Sequence, residues 1–409
     1  MLFVYDFSIK LYYLLIFLFS FFNRKAKLWI DGRRNIFQKI EPFTVNKPIW
    51  FHFASLGEFE QGRPVLEALK GKFPEKKIVI SFFSSSGYEV RKNYALADLV
   101  VYLPLDTTAN AKRFVTLINP EFAVFTKYEY WYHYFNELNK RQIPTFVISA
   151  IFRKNQSFFR WYGALNRKML AFISHIFVQD EQSKLFLSEI GITKVTVSGD
   201  TRFDRVYQNA KDIEENDLIS CFCGNNKVFI AGSTWPTDEK LIAELAGKMP
   251  DWKFIIAPHE IKEEKIKDLI HMLPNGKAIR FSEAEEKRLA QASILIIDNI
   301  GLLSALYRYG NISYIGGGFG AGIHNTLEAA AFGMPVLFGP KYKKFPEAKE
   351  LINRGAGFSI TSFDELQVVV SKLQTPEKIE EPGIKAANYV AEKIGATEII
   401  LHKISANVY

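Results

Sequence analysis

A run of glycines, Gly316-Gly317-Gly318 with Gly320 and Gly322, comes after the apolar stretch Ile312–Ile315 and precedes a helical stretch at Asn325–Phe332. Glycine lets a backbone approach a ligand closely, and the N–H groups at the start of a following helix suit a phosphate. The same run also suits a tight strand-to-helix turn that holds nothing. The next residues carry more information: His324, Asn325, Thr326 and Glu328, then Ala329–Ala331, Gly333, Pro335 and Gly339-Pro340. Asn325 and Glu328 stand one helical turn apart and face the same way. A carboxylate there can take both hydroxyls of a ribose, while Asn325 and the helix start contact phosphate or base. The stretch Gly316–Gly339 reads as a phosphate-compatible turn with Asn325 and Glu328 on its helix as nucleotide contacts.

A second chemistry-bearing position is Glu58, which comes after the apolar run Ile49–Ala54 (IWFHFA) and the turn Ser55–Gly57. From there an acid can reach an acceptor hydroxyl. It can equally complement the positive end of a helix, a role that suits Glu60 better. His52 and His133 are read as core or supporting histidines without a catalytic role, and Tyr128, Tyr130, Trp131 and Tyr132 chiefly as core packing. Asp200 and Asp298 are isolated acids, and no Asp-x-Asp pair stands at a convincing strand end. No metal and no cofactor are therefore expected.

These positions need elements to hold them. Short apolar runs alternate with helical stretches at Ile49–Ala54, Lys77–Phe83, Leu99–Leu103, Phe122–Thr126, Thr145–Ser149, Ile176–Gln179 and Val195–Ser198. After a polar, weakly periodic stretch the alternation resumes at Val228–Ala231, Lys253–Ala257, Ile294–Ile297, Ile312–Ile315 and Pro335–Phe338. Strands of this length separated by helices predict parallel βαβ units covered on both faces. The fold class is α/β, with two tandem Rossmann-like doubly wound domains facing across a cleft. Expected boundaries are 1–27 for an apolar segment, 28–207 for a first domain and 208–227 for a linker. A second domain is expected at 228–379, and a helix at 380–409 packs back on the first. Ligands in such sheets lie at the carboxyl ends of the strands.

Composition permits this reading. The 409 residues are 48% hydrophobic and 23% charged, enough for two cored domains. Cys221 and Cys223 are too close for an unstrained disulfide and have no partners for a zinc site. The net charge of +8 fits nucleic acid, an anionic membrane or an anionic substrate, and does not choose among them. The N-terminus helps to choose. Leu11–Phe22 (LYYLLIFLFSFF) is almost unbroken apolar sequence, with Arg24, Lys25, Lys27, Arg33 and Arg34 after it. It lacks the leading charge and cleavage site of a signal peptide. It reaches spanning length only by including Asp6 and Lys10. A membrane anchor or interfacial helix is expected, with the basic flank and the rest of the chain on the cytoplasmic side.

The chain resembles the Kdo transferases, enzymes of lipopolysaccharide core synthesis that attach 3-deoxy-D-manno-oct-2-ulosonic acid (Kdo) to lipid A precursors. The glycine run with Gly322-Ile323-His324-Asn325-Thr326-Leu327-Glu328 resembles their donor-site segment, and Trp50, His52, Ser55, Gly57 and Glu58 match an N-terminal pattern. Lys127, Glu129 and Trp131 match Glu-x-Glu-x-Trp with lysine at the first acid; Gly199 to Asp204, Gly232-Ser233-Thr234 and Pro258-His259 match further segments. The family's arginine before His259 is missing, and His259, Lys262 or Arg202 are candidates to replace its charge. The resemblance implies a GT-B fold and an inverting transfer of Kdo from CMP-Kdo to a lipid IVA-like acceptor at the inner membrane. It implies Glu58 as general base, with Ser55 and Gly57 near the acceptor and Arg24 and Lys25 near the membrane. It further implies Ser233, Thr234, His259, Gly317, Gly318, Asn325, Thr326 and Glu328 at the donor, with CMP phosphate met by the Ser233-Thr234 turn and backbone N–H groups. No nucleic-acid partner is implied. Two readings compete: another GT-B enzyme using a UDP-sugar (epimerase or GlcNAc transferase), and a basic binding protein without catalysis.

Overall fold

The computed structural model describes residues 1–43, 47–127, 129–212 and 215–408. The chain divides into two compact units, Met1–Asp204 with Ile394–Tyr409, and Arg205–Lys393. Each is built on one all-parallel sheet of seven strands.

In the first unit the strands are β1 (Ile49–Phe53), β2 (Ile78–Phe82), β3 (Leu99–Tyr102), β4 (Phe122–Thr126), β5 (Thr145–Ala150), β6 (His175–Val178) and β7 (Val195–Val197). They lie in the order β3-β2-β1-β4-β5-β6-β7. β1, β2, β4 and β5 are buried along their whole length, as the β-rich, unalternating runs require when helices cover both faces. The order reverses at β1, which pairs with β2 on one side and β4 on the other. Chains leaving β1 and β4 at their carboxyl ends therefore diverge and leave a crevice.

The second unit repeats the plan with β8 (Val228–Thr234), β9 (Lys253–Pro258), β10 (Ala278–Arg280), β11 (Ile294–Ile296), β12 (Ile312–Ile315), β13 (Val336–Phe338) and β14 (Gly357–Ser359). Their order is β10-β11-β9-β8-β12-β13-β14, with the reversal between β8 and β12. The outermost strands β10 and β14, three residues each, have no apolar run and were not expected.

The expected linker 208–227, read with a helix of its own, holds the end of the helix Thr201–Lys211 and the helix Asp217–Cys223, which packs into the second unit through Ile219 and Phe222. One boundary expectation is corrected. The expected returning helix 380–409 is two helices. Pro376–Ala391 stays with the second unit, and only Ala396–Val408 returns to the first, burying Ile400 and Ile404 among Phe59, Leu66 and Leu69. Asp204 fastens that return by accepting from the N–H groups of Gly395 and Thr397 and from the Thr397 hydroxyl.

At the N-terminus, α1 (Leu2–Phe19) leads into α2 (Arg24–Arg33) and α3 (Ile36–Ile40). α1 is long and apolar enough to cross a membrane, and none of its residues is buried. It nevertheless touches the first unit along much of its length. Tyr5 donates to Asp106, the Asp6 carboxylate sits 2.6 Å from His133 Nε2, and Tyr12 and Tyr13 pack on Trp29.

Candidate active site

Glu58 lies in the first turn of α4 (Leu56–Lys72), the helix that leaves β1 after Ser55. Its side chain curls back so that Oε2 accepts from the Ala54 N–H at 2.6 Å. Oε1 has no hydrogen-bond partner among the described residues. On the other side of the reversal, β4 ends at Thr126 and Lys127 turns with φ +60°, which carries Glu129 toward β1. Glu129 Oε2 accepts from Trp131 Nε1 at 2.9 Å and lies 3.1 Å from His52 Nε2. His52, wholly buried in β1, is fixed from behind by Ser81 Oγ at 2.8 Å. Burial, and next the charge of Glu129, push the Glu58 carboxyl up to about 8, against smaller opposing effects from the Ala54 N–H and Lys127. A carboxyl tuned toward the working pH is what a general base requires.

Neighbouring acids behave differently. Glu60, on the same helix, is paired with Arg91 at 2.6 Å. Ser55, half-buried, and Gly57, exposed, line the turn beside Glu58. His133 is spent on Asp6 and Thr108, in line with a supporting role. Of the aromatic group, Tyr130 packs on Phe152 and Phe158, Tyr132 is buried against Phe172, and Tyr128 lies outside the described residues. Trp131 packs against the same core and in addition holds Glu129. Glu129 and His52, given no role from sequence, complete the site. Their signal was the position of both at strand ends flanking the same reversal.

The second unit's reversal brings together the other predicted residues. Asn325 Nδ2 donates to Glu328 Oε1 at 3.0 Å, so the two do face the same way. Asn325 Oδ1 also accepts from the Leu327 N–H at 3.2 Å, and Thr326 is buried. The helix they open is shorter than expected, Leu327–Ala331 rather than Asn325–Phe332, which limits any dipole effect at its start. His259 stacks between Trp235 and His324, with ring centroids 4.6 and 4.5 Å away. Burial, then His259, hold His324 below the usual imidazole range.

Two expected phosphate contacts are already engaged. The Gly317 N–H donates to Asp238 Oδ2 at 2.9 Å, and the buried Thr234 hydroxyl donates to Glu239 at 3.2 Å. Asp238 also accepts from the Trp235 N–H and the Tyr314 hydroxyl, binding the glycine run to the start of the helix Pro236–Lys248. The glycines serve this packing. Gly317 has φ +91°, and a Cβ on Gly318 would meet the backbone of Gly339 at 2.6 Å. Ser233 keeps a strained φ of +53° at the end of β8. Arg202 is paired with Asp200 in the first unit, so its charge is already answered. Arg33 is also not a solvated basic residue: it donates to the carbonyls of Trp29, Phe83 and Leu103. Arg24 and Lys25 are exposed. Among the described residues no cluster of three or more His, Cys, Asp or Glu side chains gathers as metal ligands.

Comparison with known proteins agrees with this layout. The family described as 3-deoxy-D-manno-octulosonic-acid transferase (kdotransferase) matches residues 30–205. The chain is 25% identical over 372 residues to a bifunctional glycosyltransferase/methyltransferase of Fusobacterium nucleatum, covering 88% of this chain and 58% of that protein. It is 27% identical over 369 residues to the 3-deoxy-D-manno-octulosonic acid transferase of Chlamydia trachomatis, covering 87% of this chain and 84% of the relative. Among solved structures, UDP-GlcNAc 2-epimerase from Neisseria meningitidis superposes with a TM-score of 0.62 over 88% of this chain and 100% of that one, at 19% identity. That likeness shows the GT-B-type fold alone. The chain is thus similar to the Kdo transferases over residues 30–205 by the family match, and its likeness to the Chlamydia trachomatis enzyme runs on through the second unit.

Proposed function

We propose that the protein transfers Kdo from CMP-Kdo to a phosphorylated, acylated lipid A precursor at the cytoplasmic face of the inner membrane. The observation that carries this is Glu58, held by the Ala54 N–H at the sheet reversal with its proton affinity raised. Its carboxylate takes the proton of an acceptor hydroxyl. The hydroxyl oxygen then bonds to the anomeric carbon of Kdo from the face opposite CMP, the bond to the CMP phosphate breaks with its electron pair, and the configuration inverts. The proton passes from Glu58 to water.

The donor side belongs to the second unit, where Asn325 and Glu328 hold the nucleotide and the Trp235–His259–His324 stack lines the approach. Ser233, Thr326 and the backbone around Gly318 remain candidates to meet the phosphate. Thr234 and Gly317 act through the shape of the loop. The reaction is proposed to need no divalent metal, because protein cations and N–H groups can neutralise the leaving CMP.

The test is a transfer assay with CMP-Kdo and a tetra-acylated disaccharide phosphate, read by mass spectrometry of the product, with and without excess EDTA. A product heavier by one or more Kdo residues, undiminished by EDTA, is expected. A UDP-sugar enzyme on the same fold would bind UDP in preference to CMP and make no such product.

A further inference from the structure

A cavity of about 580 Å³ in the first unit lies away from Glu58, between α1, α2, α3 and the segment after β3. That volume falls in the usual range for a small-molecule site. Its apolar walls include Tyr13 and Phe17 of α1, Ile30 of α2, and Leu105. Three arginines line it, Arg33, Arg34 and Arg113, and no Asp or Glu is among the described residues that line it.

The charges are unequal. Arg113 is answered by Glu41 at 2.7 Å. Arg34 is 73% exposed and only 3.7 Å from Asp31, an arrangement that holds little energy. Arg33 lies over the Trp29 ring at 3.7 Å and gives its hydrogens to neutral carbonyl oxygens. The cavity thus joins an apolar lining to positive charge that the protein itself leaves largely unanswered. An amphiphile with a fatty chain and an anionic group complements it.

Two features connect the cavity to its surroundings. The helix that supplies Tyr13 and Phe17 exposes Leu14, Leu15 and Leu18 alongside them, so an alkyl chain could enter from a membrane along a continuous apolar surface. On the inner side, Arg33 donates to the Phe83 carbonyl, the Phe83 ring packs on Trp131 at 4.8 Å, and Trp131 holds Glu129. A ligand seated here is a few side chains from the carboxylates.

We propose that this cavity receives an acyl chain of the acceptor lipid, with Arg34 at its mouth meeting an anionic group of the same molecule. The proposal rests on the transferase reading and names where its acceptor is gripped.

The experiment compares two acceptors, the tetra-acylated disaccharide phosphate and its fully de-acylated form, on the full-length protein in detergent. Leu105→Trp fills the cavity, and Arg34→Glu, at an exposed position where folding is not in question, reverses the charge at its mouth. Loss of a few buried methylenes should raise KM for the acylated acceptor about tenfold with kcat little changed. KM for the de-acylated form should stay at its parental value. Arg34→Glu should raise the acylated KM by a smaller, salt-sensitive factor. Equilibrium binding of the radiolabelled acylated disaccharide without donor gives a readout independent of turnover, and should weaken in parallel. Parental KM and binding in both variants would overturn the proposal, as would equal losses with both acceptors. If the parent transfers Kdo to neither acceptor, the transferase reading fails. Tight acylated-lipid binding that Leu105→Trp abolishes would still support the cavity's role.

Discussion

The two sheet reversals make a natural comparison, since the same topology is used in opposite ways. In the first unit, the crevice beside β1 holds two carboxylates, and burial together with the charge of Glu129 raises the proton affinity of Glu58. In the second, the crevice beside β8 is closed by its own chain. Asp238 takes up the Gly317 N–H, the Trp235 N–H and the Tyr314 hydroxyl, while Gly318 lies against Gly339. One reversal keeps a carboxyl of raised proton affinity, and the other spends its polar groups on holding a shape. A glycine-rich turn is therefore not evidence of phosphate N–H donors until each N–H has been traced to its acceptor.

The sharpest way to break the comparison is Glu58→Gln. If the first reversal carries the chemistry, transfer falls by the ~10²–10⁴-fold usual for a lost base, while CMP binding measured by calorimetry is unchanged. Asp238→Ala should act the other way round. Leaving its donors unanswered in the interior should cost roughly 2–4 kcal/mol of stability, seen as a lower urea midpoint, and should weaken CMP binding. A fully stable Asp238→Ala protein would mean the second reversal is not held as described.

A finer test concerns the raised affinity itself. With the carboxyl at about 8, activity should climb with pH and level off above pH 8. Glu129→Gln removes the like charge and should move that climb to lower pH, read from kcat/KM profiles. An unmoved profile would detach Glu129 from the base. The smallest effect is on stability. The shift favours the protonated carboxyl in the folded state, so its contribution is full below the ordinary value of 4.5 and lost as pH rises through about 8. Glu58→Gln should accordingly flatten the decline in urea midpoint across that window.

Much of this was legible in the sequence. Every strand of the first sheet announced itself as an apolar run, which burial on both faces demands of β1, β2, β4 and β5. β10 and β14 did not, since a three-residue edge strand buries too little to require a pattern. Asn325 and Glu328 could be paired from helical spacing, and Glu58 was marked by its place after a strand. Glu129 and His52 meet only through the neighbouring of β1 and β4, a long-range fact that local spacing does not contain. Arg33 misled for a related reason. A basic residue beside an apolar segment reads as a membrane contact, and only the fold reveals the carbonyls that claim it.

The Asp204 clasp bears on how the molecule is made. The groups it holds lie 191 and 193 residues further along the chain, beyond the whole second unit. Ile400 and Ile404, worth about 1.5–3 kcal/mol each when buried, fill the first unit's core from the far end of the sequence. During synthesis the first unit would emerge early yet stand incomplete, with apolar surface uncovered on the helix that carries Glu58. It would be finished only when Ala396–Val408 leaves the ribosome, so a product cut short before that helix would lack the support beneath its proposed base.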